Sequence, residues 1–155
     1  MRTKARGDED ALERSALVPY SARQMFDLVR DVESYPEWFA WCRTSEVEEV
    51  SAGEQLATLE VELLGMRQRF ATRNRLKDGE SITLSLAQGP LSSLEGAWQF
   101  KNLKRDGVAI GCKVALSLRF EFKVGVVDTL IRIGFNALAD RLVDDFVAVA
   151  KRQYG

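Results

Sequence analysis

The sequence predicts one α+β domain: a curved antiparallel sheet of about six to seven strands wrapped around a long C-terminal helix, with two short helices after the first strand. Three observations predict it. Between residues 44 and 123, apolar and polar residues alternate in strand-length segments separated by turn signals, which marks an antiparallel sheet. From Val126 to Tyr154 a single helical pattern runs unbroken. The third observation is size, since 155 residues suffice for one core and not for two full domains. A twisted sheet must cover its apolar face, and the terminal helix is the one element long enough to do so.

The elements follow in order. Residues 1–11 lack apolar periodicity and read as a flexible arm, leaving 12–155 as the domain. The stretch ALERSALVPY is a strand closed by Pro19, which cannot donate to a ladder. Ser21 and Gln24 form a capping box, and Ala22, Met25, Phe26, Val29 and Val32 recur at helical spacing behind it. This helix stops before Tyr35-Pro36, and Glu37 to Trp41 form a second helical turn. Strands are then expected at 44–50, 57–63, 66–77, 81–87, 94–103 and 108–123. A two-residue loop of Leu64 and Gly65 sets Glu62 opposite Arg67, Glu60 opposite Arg69 and Leu59 opposite Phe70, so charge pairing and apolar pairing select the same register. In the last helix Val127, Leu130, Ile131, Gly134, Leu138, Leu142, Phe146 and Ala150 form the expected apolar stripe. Asp140, Asp144 and Lys151 face away from it, and Asp128 and Arg132 pair at i, i+4.

Composition excludes several classes of function. Lys and Arg number 22 against 23 Asp and Glu, so no bulk positive field draws nucleic acid, although a local basic patch survives within a neutral total. There is no histidine, which removes His-based triads and ordinary zinc sites. Cys42 and Cys112 are far apart and read as reduced, buried thiols without chemistry. The N-terminus has charges but no apolar region behind them, and no run reaches the ~20 apolar residues of a membrane span, so the expected location is the cytoplasm. The acidic stretches Asp8 to Asp10 and Glu46 to Glu49 read as solvated surface, and no pair of carboxylates is marked as acid and base. The protein is expected not to be an enzyme.

A sheet gripping a helix rarely fills the space between them, so an interior cavity is the natural candidate site. Tyr35, Trp38, Phe39 and Trp41 cluster in a proline-interrupted segment, where they either contact a flat apolar guest or cap the core. Trp98 and Phe100 share the concave face of their strand, and Leu59, Phe120, Phe135, Leu138 and Leu142 join them as expected cavity residues. On the strand from Arg67 to Lys77, alternation places Gln68, Phe70, Thr72 and Asn74 inward. The three polar residues either bond to backbone or meet the polar head of a ligand such as a quinone carbonyl. The opposite face carries Arg67, Arg69, Arg73, Arg75 and Lys77. It is a solvated face laced by ion pairs with Glu60 and Glu62, or a contact for RNA phosphates through Arg73, Arg75 and Lys77.

The segments LVPYSARQMFDLVRDVESYPEWFAWC, FATRNRL, GPLSSLEGAWQF and LRFEF, in this order and spacing, resemble the bacterial ribosome association toxin family, RatA. That family is grouped with the coenzyme Q-binding START-like proteins of the polyketide cyclase superfamily, and the similarity runs from about Ser15 to Tyr154. The resemblance implies a helix-grip, Bet v 1-like fold with a hydrophobic cavity for ubiquinone or a related polyprenyl lipid. With such a ligand comes a role in respiration and transient contact with the inner membrane; extracting a lipid requires a gap that opens, and the aromatic segment Tyr35 to Cys42 is where that gap is expected. The resemblance also implies association with the large ribosomal subunit that blocks subunit joining, and an antitoxin partner. This chain departs from its relatives at Trp38-Phe39-Ala40-Trp41, where they commonly carry a second proline. On these grounds the leading expectation is a quinone-binding protein and the alternative a ribosome-associating toxin, with cyclase activity a distant third.

Overall fold

The computed structural model describes residues 2–4, 10–123 and 129–155. Eight strands form one antiparallel sheet: β1 Arg2–Lys4, β2 Asp10–Val18, β3 Cys42–Ser51, β4 Glu54–Leu63, β5 Met66–Lys77, β6 Ser81–Gln88, β7 Leu91–Arg105 and β8 Val108–Phe122. Their order is β1-β2-β8-β7-β6-β5-β4-β3. This is more than the expected six to seven strands, because Arg2–Lys4 in the expected arm pairs with Asp10–Leu12. The domain's first long strand accordingly begins at Asp10, and residues 5–9 of that arm lie outside the described residues.

The β4–β5 hairpin has the register that charge and apolar pairing select: Glu62 faces Arg67, Glu60 faces Arg69 and Leu59 faces Phe70. Leu64 and Gly65 turn the chain at φ of 50° and 80°, the left-handed pair that matches strand twist in a two-residue hairpin. Toward β6 the pairing slips between Ala71 and Thr72, and at this bulge Phe70 and Ala71 are both buried.

Helix α1, Ala22–Arg30, starts with the expected capping box: Ser21 Oγ accepts from the Gln24 N–H, and Gln24 Oε1 accepts from the Ser21 N–H. A single 3-10 turn over Val32–Ser34 leads into α2, Tyr35–Trp38. The second helical turn thus includes Pro36 instead of following it, because proline's preset φ suits the first turn of a helix, where its missing N–H costs nothing.

Helix α3, Thr129–Tyr154, lies across the concave face of the sheet. Its most buried line runs through Ile131, Phe135, Ala139, Val143, Phe146 and Ala150, with Leu138 and Leu142 half-buried beside it. The stripe expected from the sequence is therefore rotated. Leu130 is 46% exposed, and Asp140, expected to face away, turns to Arg14 on β2 at 3.3 Å. Val126, Val127 and Asp128 lie outside the described residues. Gly134 lets the helix touch the hairpin, since a Cβ there would sit 2.8 Å from that of Leu63. Among the described residues no helix is long and apolar enough to cross a membrane.

Candidate functional site

Between the sheet and α3 lies a cavity of about 150 Å³. Its floor is the inward row of β4 and β5, from Ala57, Leu59 and Val61 to Phe70, Thr72 and Asn74. Ile82, Leu84, Leu94, Trp98 and Leu118 continue it across the sheet. The roof is Phe135, Leu138, Leu142 and Phe146 of α3, and one end is closed by Val29, Val32, Tyr35 and Trp41.

Tyr35 is the one titratable residue in this lining. Its hydroxyl donates to the carbonyl of Val29, and burial, with smaller contributions from Cys42 and Asp31, holds its pKa well above the usual phenol range. The polar end of the cavity is built by Thr72 and Asn74. Thr72 Oγ1 donates to Asn74 Oδ1 at 2.7 Å, and Asn74 Nδ2 donates to Gln55 Oε1 at 3.0 Å. Gln55 and Asn74 are the two fully buried polar side chains among the described residues, and one of the two amide hydrogens on Asn74 remains unassigned by this pair of bonds. Gln55 and Val32 also border a polar surface groove with Asp27, Asp31, Glu33 and Glu49. Val32 is thus shared by the cavity and this groove.

Tyr35, Trp41, Leu59, Phe70, Thr72, Asn74, Trp98, Phe135, Leu138 and Leu142 line the cavity as the sequence suggested, and five expected residues do not. Trp38 packs on the outside of Tyr35 and Phe39, with ring centroids 6.2 Å from each. Phe39 is buried but stacked on Trp41 at 4.8 Å, with its edge toward Phe146. Phe100 points inward but meets Phe26 beyond the cavity's end, and Phe120 is fully enclosed by Phe122 and Phe135. Gln68 lies near the hairpin end of β5 and borders a surface depression at Gly89-Pro90. The expected gap at Tyr35 to Cys42 is a packed plug: Trp41 Nε1 donates to Asp145 on α3 at 3.1 Å, and the aromatic rings interlock behind it. The cavity residues not named from the sequence are Val29, Val32, Ala57, Val61, Ile82, Leu84, Leu94, Leu118 and Phe146. A small Ala57 in an otherwise bulky inward row was the signal of space there.

Outside the cavity, the two thiols are free and buried, and burial pushes both up to about 11, so neither is an activated nucleophile. On the outer face, Arg67 approaches Glu60 at 3.8 Å and Lys77 pairs with Glu80 at 3.6 Å. Arg73 and Arg75 are exposed and, among the described residues, take part in no ion pair.

The family described as polyketide cyclase / dehydrase and lipid transport matches residues 18–147. The ribosome association toxin RatA of Pseudomonas aeruginosa is 42% identical over 93% of this chain and 97% of its own. The coenzyme Q-binding protein COQ10 homolog B of Xenopus laevis is 28% identical over 91% of this chain and 58% of its own length. Among solved structures, the ZhuI aromatase/cyclase of Streptomyces sp. R1128 superposes with a TM-score of 0.82 at 17% identity, covering 95% of this chain and 96% of that one, which establishes the shared fold. The chain belongs to the polyketide cyclase / dehydrase and lipid transport family, within which it is a member of the ribosome association toxin RatA group.

Proposed function

We propose that this chain is a non-enzymatic cytoplasmic protein that associates with the large ribosomal subunit and hinders subunit joining. The observation that carries this reading is the 42% identity with a ribosome association toxin along nearly the whole of both chains. Exposed and unpaired among the described residues, Arg73 and Arg75 support it, because contact with ribosomal RNA needs closely spaced cations free of carboxylate partners. Purified protein added to lysate is expected to comigrate with large subunits on a sucrose gradient, and Arg73→Glu with Arg75→Glu to abolish that comigration. Protein that stays at the top of the gradient would remove the reading. The absence of turnover is supported by the cavity lining, whose single titratable group, Tyr35, is already engaged with Val29.

The cavity favours a second reading, the binding of an apolar ring compound such as the head of an isoprenoid quinone. A largely apolar hollow of about 150 Å³ is the size that holds a benzene-sized guest. A quinone's ring is admitted by this volume, while its isoprenoid tail exceeds it. Trp41 and Trp98 line the cavity, so a short-tailed ubiquinone is expected to quench their fluorescence saturably. Ala57→Leu fills the space the guest needs and is expected to weaken this binding by at least ~10-fold while leaving comigration with ribosomes intact. Equal quenching in both proteins would show that the ring binds elsewhere. Organic extracts of freshly purified protein, examined by mass spectrometry, test for a resident lipid.

A further inference from the structure

The outer face of the sheet carries cations on both sides of a floor of small residues. Arg75 is in register with Thr83, Thr83 with Ala97 and Ala97 with Ser117, so one row across four strands holds a single large side chain, at its end. The neighbouring row continues through Ser81, Gln99, Ala115 and Ser15. Ser15, Ala97, Gln99, Lys113, Ala115 and Ser117 line a shallow surface depression there together with Glu13, which stands opposite Ser117. On one side stand Arg73 and Arg75. On the other stand Lys101 and Lys113, directly opposite each other on β7 and β8. All four are exposed and, among the described residues, none is in an ion pair. With strands ~4.8 Å apart and ~3.4 Å per residue along a strand, and with Lys101 four residues along β7 from the row of Arg75, the two sides are separated by roughly 17–25 Å.

Two features need an explanation beyond folding. Like charges directly across a ladder destabilise a sheet, yet Lys101 faces Lys113 with no carboxylate between them. Small residues over several adjacent strands leave the backbone open to close approach by a partner. We infer that this face is a trough for an RNA sugar-phosphate backbone, with Arg73 and Arg75 as one wall and Lys101 and Lys113 as the other. Hydroxyls and the Gln99 amide in the floor suit sugar and phosphate oxygens. Large apolar side chains, which a lipid surface would require, are missing from the floor; Leu17 stands at its rim, opposite Lys113. The nearby carboxylates are Glu13, Glu54 opposite Arg75, and Glu95 opposite Arg119. The inference rests on the ribosome reading for its biological partner, and on the trough alone for its chemistry.

The test uses a fluorescein-labelled oligouridylate, salt-washed large subunits and phosphatidylserine vesicles as separate probes. Four phosphate contacts give a slope of about −3 in log affinity against log salt for single-stranded RNA. Lys101→Glu and Arg75→Glu are each expected to weaken RNA and subunit binding by ~10-fold or more and to flatten that slope to about −2 or less. Lys151→Glu, the same charge change at the exposed end of α3, is expected to leave both unchanged. Because Lys101→Glu turns a like-charge pair into an attractive one, it is also expected to raise Tm by ~1–2 °C, so its loss of binding cannot come from misfolding. Unaltered RNA binding in both wall variants would overturn the trough, and subunit comigration surviving with it would leave the ribosome reading standing. Trough-dependent RNA binding without comigration would support the trough and remove the ribosome reading. Binding to vesicles and not to RNA, lost in Lys101→Glu, would overturn the inference in favour of a membrane surface.

Discussion

Phe146→Ala is expected to lower stability by about 4 kcal/mol, within the ~3–5 kcal/mol span of buried Phe truncations, and to reduce Tm by roughly 8–16 °C. The ring is 2% exposed and meets Tyr35, Phe39 and Trp98 edge-on with centroids 5.0–5.4 Å away. It is thus the contact through which α3 holds both the aromatic plug and the centre of the sheet. Truncation also opens the existing hollow further, because Phe146 forms part of its roof. The surrounding rings are held by neighbours on other sides, so they relax little and the void persists. A single-ring hydrocarbon such as toluene is therefore expected to raise the Tm of Phe146→Ala more than that of the unaltered protein, as a ligand confined to the folded state must. Thermal melts with and without toluene measure both effects. A Tm loss below ~4 °C would show that α3 is anchored elsewhere.

The fold was legible where one physical rule acted without competition. Glu60, Glu62, Arg67 and Arg69 straddle a Leu-Gly turn, and a slip by one residue would have reversed every apolar side chain on the strand, so the register had a single solution. The Ser21–Gln24 box likewise named the start of α1 from local chemistry alone. Two features needed tertiary knowledge. The rotation of α3 is set by a wide concave sheet that contacts more of the helix than a narrow stripe, and by Arg14, which draws Asp140 inward. The pairing of Arg2–Lys4 depends on an open edge at β2 that is visible only once β8 has taken the other side of that strand.

The candidate site was half legible for a related reason. Alternation tells which face of a strand a side chain occupies, and it correctly turned Phe70, Thr72, Asn74, Trp98, Phe100 and Phe120 inward. It does not tell how far along the strand the helix lies. Phe100 and Phe120 sit beyond the ends of the gap, where rings from Phe26 and Phe135 fill the space, while Trp98 lies over its centre. Of the two readings open to the aromatic segment, guest contact through a gap or a cap on the core, the packing is that of the cap, and loop aromatics give no sign of their partners that would have decided it. Asp145, which accepts from the Trp41 indole, is more than a hundred residues away and reads from its own surroundings as a solvated helix residue.

Gly111→Ala is expected to be among the most damaging single substitutions, costing about 3 kcal/mol or more although it adds one methyl group. A Cβ at this position would run into the Val18 carbonyl oxygen and lie 3.3 Å from Cα of Pro19. Those atoms are backbone, and neither can rotate aside. The ladder beside them pairs Val18 with Cys112, and the chain leaving it runs through Pro19 to the Ser21 cap of α1. Relief therefore demands parting β2 from β8 or shifting the start of α1, whose first N–H is held by Asn102 on β7 at 2.9 Å. Gly107 makes the control. It turns the β7–β8 hairpin at φ of 78° with open space around it, so alanine there meets backbone strain alone and is expected to cost ~1–2 kcal/mol. Urea midpoints of the two variants separate the effects. If Gly111→Ala proves no worse than Gly107→Ala, β2 and β8 do not approach as closely as described, and the seat of α1 at the end of the cavity is looser than the packing around Val29 requires.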